Sequence, residues 1–391
     1  MNQLPKKLLR KLTDRENSNA LRGLGSTQDL VDFSSNDYLG LSTSEVIFTR
    51  ASEILGENNL QNNGASGSRL LSGNHILYTK TENLIADFHN AEAALIFNSG
   101  YDANVGFFSS VPQRGDLIFY DEFIHASIRD GISMSKAKGY KFKHSDFYDL
   151  AKRCDAERNR NLDGDIYIVT ESVFSMDGDT PDLKMLCDIC SRNNYHLVVD
   201  EAHAIGVVGQ GRGVIQEQGL ESLVFARIVT FGKALGCHGA GVLGSIQLKT
   251  YLINFARSLI YTTALPPHSV ASIKAAYELI IEDLNSGELQ ENDNFEKKLN
   301  RNIAMLRFYL KMYTLEEQFI KSTSAIHSCV IPGNALVKEV SEKLREKGFD
   351  VKAILAPTVP EGKERLRICL HSYNTEAEIE KLLKLLATFI K

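Results

Sequence analysis

The chain has 391 residues, 43% of them hydrophobic and 24% charged, with a formal net charge of −5 at pH 7. That length fits two or three domains, or one large α/β unit with an appendage, and the composition is ample for a core. The acidic balance excludes a broad nucleic-acid-binding surface, and no apolar run approaches the roughly 20 residues that span a bilayer.

The first stretch, MNQLPKKLLRKLTDRENSNALR, is basic and amphipathic but carries Asp14 and Glu16 and has no apolar core. It reads as a surface helix and not as a secretory signal, with a transit peptide as the lesser alternative, so a cytoplasmic protein is expected. From about residue 75 to 257, short β-rich runs alternate with helical patterns. The runs are 93–97, 116–120, 165–170, 196–200, 227–231 and 241–245, and the amphipathic segments between them include 75–91, 101–111, 125–138, 146–158 and 182–194. This alternation predicts an α/β fold with a mostly parallel sheet covered on both faces. In such a sheet, ligands collect outside the carboxyl ends of the strands.

Near 280–295 the pattern changes to a smaller α+β unit, with helices at 293–311, 334–347 and 375–390 and strands at 324–331 and 365–370. The expected division is an N-terminal segment 1–45, a large domain 46–285 and a small C-terminal domain 286–391. Six cysteines are scattered over the chain, and Cys187 with Cys190 forms a lone C-x-x-C on a helical pattern. Without a second pair or matching histidines, these two thiols read as core packing and not as a metal or redox site.

Three motif readings fail. Asp200-Glu201-Ala202-His203 spells DEAH, yet neither Gly232-Lys233 nor Gly362-Lys363 is followed by the Ser or Thr of a phosphate-cradling loop. GQGRG at 209–213 does not match the dinucleotide fingerprint, and none of the ten histidines forms an H-E-x-x-H zinc site.

A better-supported arrangement starts from VVDEAH, which places Asp200 at the carboxyl end of a buried strand with His203 just beyond. TFGKALG places Lys233 past the end of another strand. An amine so placed suits a Schiff base to an aldehyde, and a neighbouring carboxylate keeps a pyridine nitrogen protonated, the pairing that pyridoxal 5'-phosphate requires. FNSGYDAN supplies free N–H groups at Gly100–Asp102 for an anion, with the Tyr101 hydroxyl nearby. His125 opens a helix after a strand, and TESVFSMDGD brings Glu171, Ser175 and Asp177 to a further strand end. Singly, each has an ordinary alternative as a turn or helix cap; together, five polar clusters at successive strand ends point to one site.

The set SSNDYLGLS, NGASGSRLLSGN, FNSGYDAN, HASIRDG, TESVFSMDGD, VVDEAHAIGVVG, TFGKALG, FARSLIYTTALPP and RLRICL resembles the α-oxoamine synthases, in order over about residues 20–375. The resemblance implies the fold-type I architecture of pyridoxal-phosphate-dependent transferases and a decarboxylative condensation of an amino acid with an acyl thioester. L-alanine with pimeloyl-CoA or a pimeloyl acyl carrier protein, giving 8-amino-7-oxononanoate for biotin, is the implied reaction. The alternative is a sister reaction with glycine or serine. By motif, Lys233 resembles the Schiff-base lysine, Asp200 the partner of the ring nitrogen, His203 the partner of the phenolic oxygen and His125 the histidine stacked on the ring. Ser175, Gly100 and Tyr101 resemble further cofactor contacts, and Thr230 a phosphate ligand. Thr262 and Thr263 resemble hydroxyls that reach the phosphate of a neighbouring subunit, which implies a homodimer. Arg367 resembles the arginine that holds the amino-acid carboxylate, with Asn36 near that group and Arg22 near the acyl substrate. Two features depart from the pattern: GSTQDLVDF is short, and Cys237-His238 puts a thiol close to the cofactor.

Overall fold

The structure is a computed structural model that describes residues 4–24, 29–158, 164–287 and 294–390. Residues 25–28 of the short GSTQDLVDF segment lie outside the described residues. The strands are β1 (Val31–Asp32), β2 (Ala93–Phe97), β3 (Leu117–Asp121), β4 (Lys138–Phe142), β5 (Ile166–Glu171), β6 (His196–Asp200), β7 (Ala226–Thr230), β8 (Ala240–Gly244), β9 (Ile326–Val330), β10 (Phe349–Asp350), β11 (Lys352–Ile354) and β12 (Arg365–Cys369). Long-range contacts divide the chain into a large unit, Asn36–Ser175 with Thr180–Lys298, and a small unit, Met1–Ser35 with Met176–Asp179 and Leu299–Lys391. These boundaries, 35/36 and 298/299, stand beside the 45/46 and 285/286 read from sequence.

The large unit is built on a seven-stranded sheet in the order β2-β8-β7-β6-β5-β3-β4. Its strands are parallel except β8, which runs antiparallel to both β2 and β7. The α/β architecture read from the alternating pattern is therefore observed, with one reversed strand. Residues 231–239, which join β7 to β8, are too few for a helical crossover, so β8 must return antiparallel. As a result, the carboxyl ends of β2, β3, β5, β6 and β7 meet the amino end of β8 along one edge of the sheet. Strands β2, β5 and β7 are buried along their whole length, as strands covered on both faces must be. Phe97, Phe107, Phe108, Ile118, Ile128, Val198, Ile228 and Val242 form the core on which the helix Gly100–Ser110 rests. Each such side chain contributes about 1.5–3 kcal/mol by leaving water.

One expected element is corrected. The helix read over 125–138 ends at Met134, and Lys138–Phe142 is the edge strand β4. Ser135 turns extended and its hydroxyl accepts from the Ala137 N–H, breaking the helix. β4 carries Lys138 and Lys141 on exposed positions, so it lacks the apolar run that marks a central strand. The C-x-x-C reading holds: Cys187 and Cys190 are buried in the helix Leu183–Asn193, a helix opened by Asp182 accepting from Met185 N–H.

In the small unit, β11-β12-β9 form an antiparallel sheet and β1 pairs with β10. The helix Glu376–Phe389 opens with a complete capping box between Thr375 and Glu378. The helix Lys6–Asn17 buries none of its residues, as the surface-helix reading expects. Among the described residues, no helix is long and apolar enough to cross a membrane.

Candidate active site

Five strand ends supply the polar groups. After β2, Ser99 caps the helix Gly100–Ser110 by accepting from the Asp102 N–H, which aims the first turn of that helix at the edge. A Cβ added at Gly100 would come within 3.7 Å of the Thr230 hydroxyl, so this helix start and the end of β7 are neighbours. Such a pairing of helix N–H groups with a hydroxyl suits a phosphate. Thr230 itself donates to the Gly239 carbonyl at 3.2 Å. The Tyr101 hydroxyl, half-exposed, donates to Asp130 at 2.6 Å, and that bond raises its pKa. Thr262 and Thr263 lie near the same turn within one chain: the Asn98 amide donates to the Thr262 hydroxyl at 3.2 Å and to the Thr263 carbonyl at 2.6 Å.

Asp200 ends β6 and is only 5% exposed. Its carboxylate accepts from the Asn104 amide at 2.9 Å and from the Ala202 N–H at 2.9 Å. Asn104 lies one turn into the helix after β2 and is buried, and its amide also reaches the Ser127 hydroxyl at 3.0 Å. Beyond β6, His203 stands between two partners, with Nε2 2.7 Å from the Lys233 amine and Nδ1 2.7 Å from the Tyr38 hydroxyl. Tyr38, fully buried, donates in turn to Asn36 Oδ1 at 3.2 Å.

Lys233 follows β7 in a turn that only glycine permits. Gly236 has φ +64, and a Cβ there would lie 2.2 Å from the Ser42 backbone nitrogen. The Cys237 thiol in this turn donates to the Leu235 carbonyl at 3.2 Å, and burial pushes its pKa up to about 12, which suppresses the reactive thiolate.

His125 follows β3 and caps the helix Ala126–Met134, its Nδ1 2.7 Å from the Ser127 hydroxyl. Burial lowers its pKa, against the opposing pull of Asp200. The His125 backbone N–H donates to Glu171 at 2.6 Å. Glu171 ends β5, is 3% exposed, and is pushed up to about 8 by burial and then by Asp200. Ser175 is buried in the segment that follows.

Lys233, His203, Asp200, His125, Thr230, Gly100, Tyr101, Ser175, Asn36, Thr262 and Thr263 all belong to the large unit. Arg367 and Arg22 belong to the small unit. Arg367 is buried on β12, where its register partner on β9 is Ser328 and its guanidinium lies 3.0 Å from the Cys369 sulfur. Arg22 donates to the Thr358 hydroxyl at 3.2 Å. Tyr38, Asn104, Ser127 and Glu171 were not singled out by role from sequence. Each sits in a quoted motif or within four residues of one, but only the fold shows what it touches.

An amine, a carboxylate, two imidazoles and a helix N-terminus along one sheet edge define a site for a charged, ring-bearing ligand at the carboxyl ends of an α/β sheet. The chain belongs to the family described as aminotransferase class I and II, whose profile matches residues 28–386. Among curated relatives, it is 46% identical over 377 residues to the 8-amino-7-oxononanoate synthase of Emericella nidulans, covering 92% of this chain and 89% of that one. It is 37% identical to the enzyme of the same name from Lysinibacillus sphaericus, covering 90% and 86%. Among solved structures, the serine palmitoyltransferase of Sphingomonas wittichii superposes with a TM-score of 0.87 at 25% identity, covering 99% and 98%. The 8-amino-7-oxononanoate synthase of Francisella tularensis does so with a TM-score of 0.72 at 30% identity, covering 92% and 97%.

Proposed function

We propose that this chain is a pyridoxal 5'-phosphate-dependent α-oxoamine synthase. It condenses L-alanine with a pimeloyl thioester, releasing carbon dioxide and the free thiol, to give 8-amino-7-oxononanoate for biotin. The observation that carries this reading is the Lys233 amine 2.7 Å from His203, with Asp200 ending the strand that leads to that histidine. The curated 8-amino-7-oxononanoate synthases, at 46% and 37% identity over most of the chain, point to the same product.

The residues fit the cofactor by their chemistry. An aldehyde needs an amine, which is Lys233. A pyridine nitrogen needs a carboxylate, and Asp200 presents one held by two donors. A phosphate needs N–H groups and hydroxyls, which the turn at Gly100 and Tyr101 and the Thr230 hydroxyl beside it offer, and Ser175 is a further contact beside the cofactor. When bound, the cofactor provides the electron sink for a carbanion at the substrate α-carbon.

The chain's own groups do the rest. Asp200 favours a protonated ring nitrogen by its charge. His203, held by Tyr38, serves the phenolic oxygen, and His125 serves as the aromatic partner of the ring. Lys233 takes the α-proton as a free amine and returns it to the product. Arg367 grips the amino-acid carboxylate through its planar fork, with Asn36 beside that group and Arg22 serving the acyl chain. Thr262 and Thr263 serve the phosphate of a second copy, so the working form is a cytoplasmic homodimer.

Thiol release from pimeloyl-CoA by the cofactor-loaded protein tests this reading with L-alanine, glycine and L-serine in turn. Release with alanine alone is expected. Release with glycine or serine instead would move the chain to a sister activity, and release with none would refute the acyl substrate.

A further inference from the structure

Two buried carboxyls stand side by side at the strand ends. Glu171 and Asp200 are register partners on the parallel strands β5 and β6, 3% and 5% exposed. Two carboxylates at that spacing, away from water, do not both ionise readily. Their hydrogen bonds separate them. Asp200 accepts from the Asn104 amide and the Ala202 N–H, whereas the Glu171 carboxyl accepts only from the His125 N–H among the described residues. Donors stabilise the charged form, so the proton of the pair belongs on Glu171.

We propose that Glu171 is a protonated positioning residue: it holds His125 by the backbone N–H and, being neutral, adds no second negative charge beside Asp200. This rests on the reading of Asp200 and His125 as cofactor contacts. A neutral carboxyl keeps one oxygen free to accept from His125 while the other carries the proton. It also spares Asp200 a second negative charge that would compete for the cation it serves.

The charged groups around Glu171 agree on the direction. Asp200 on β6 and Asp121 on β3 disfavour its ionisation, while Lys233 beyond β7 and the His125 N–H favour it. Asp121 is itself tied to His144 at 2.9 Å. Burial is the largest influence, and the balance is upward. Raising the pH through about 8 therefore places a second charge beside Asp200.

The test is infrared spectroscopy of the full chain, with and without pyridoxal 5'-phosphate, at about pH 6 and about pH 10. Wild type is expected to show a protonated-carboxyl band at the lower pH that is lost at the higher pH and is missing from Glu171→Gln. In turnover, Glu171→Gln moves the alkaline limb of the pH profile upward, whereas Glu171→Ala, which has no acceptor for His125, lowers kcat at every pH. Absence of the band in wild type, or its loss in Asp200→Asn but not in Glu171→Gln, would overturn the assignment. The band needs no substrate. A failure of thiol release with alanine would strike the proposed reaction and leave this assignment standing.

Discussion

The Lys233 amine and the Tyr38 hydroxyl lie on opposite sides of one imidazole, each 2.7 Å from a ring nitrogen of His203. The hydrogen bonds fall into one consistent order. Tyr38 gives its proton to Asn36 Oδ1, so it accepts from Nδ1–H, which leaves Nε2 as the acceptor for Lys233. In this order Tyr38 is the group that selects the His203 tautomer.

Tyr38→Phe removes the acceptor for Nδ1–H and frees the imidazole to take the other tautomer. The loss of one buried hydrogen bond is expected to lower kcat about tenfold. The KM for L-alanine should stay within about twofold, since no substrate contact is lost. Steady-state kinetics, with the pH dependence of cofactor absorbance, check this; an unchanged absorbance titration would remove Tyr38 from the relay.

Lys233→Ala should abolish turnover and all borohydride-fixed cofactor while leaving noncovalent binding through Asp200 and the Gly100 turn. Mass spectrometry after reduction reads this directly. Fixed cofactor in the variant would contradict the assignment.

Arg367→Ala should raise the KM for the amino acid by about 10- to 100-fold, the worth of a charge-assisted hydrogen bond. The KM for the thioester should change far less. An amino-acid KM equal to that of wild type would take Arg367 out of the carboxylate site.

Behind Asp200, Glu201 forms a buried ion pair with Arg227 at 2.7 Å, and that guanidinium also donates to the carbonyls of His89 and Arg212. Glu201→Ala leaves the cation buried and unpaired, at an expected cost of about 3–5 kcal/mol in a urea titration. Replacing both partners by methionine should recover only part of this, because the two carbonyls lose their donor.

His327 on β9 is fully buried, and burial lowers its pKa from 6.5 to about 4. The folded chain thus refuses a proton that the unfolded chain accepts, and stability rises with pH across this window. The contribution is complete above about pH 6.5 and is lost as the pH falls towards about 4, on the order of 3 kcal/mol in all. His327→Leu should flatten the fall in urea midpoint between those two pH values; an identical slope in both proteins would show that other groups govern it.

Much of the site could be read before the fold was seen because its residues sit where the pattern changes. Asp200 closes an apolar run, Lys233 follows one between glycines, and Ser99-Gly100 joins a strand to a helix. A polar residue directly after a buried strand lies at the sheet edge whatever the strand order, so the local period sufficed to gather candidates. Edge strand β4 escaped because its lysines face solvent and the apolar alternation is weak.

By itself the sequence determined most of the element types, the alternation that makes the sheet, the strand-end groups and, through its motifs, the resemblance to a family. All of these depend on neighbours along the chain. The tertiary structure alone decided the antiparallel course of β8 and the pairing of Glu171 with Asp200. It also decided the grip of Tyr38 on His203 across 165 positions, and the grouping of 1–35 and 176–179 with 299–391. These depend on which strands become neighbours, and strand order is set by burial summed over the whole core, which no local window contains.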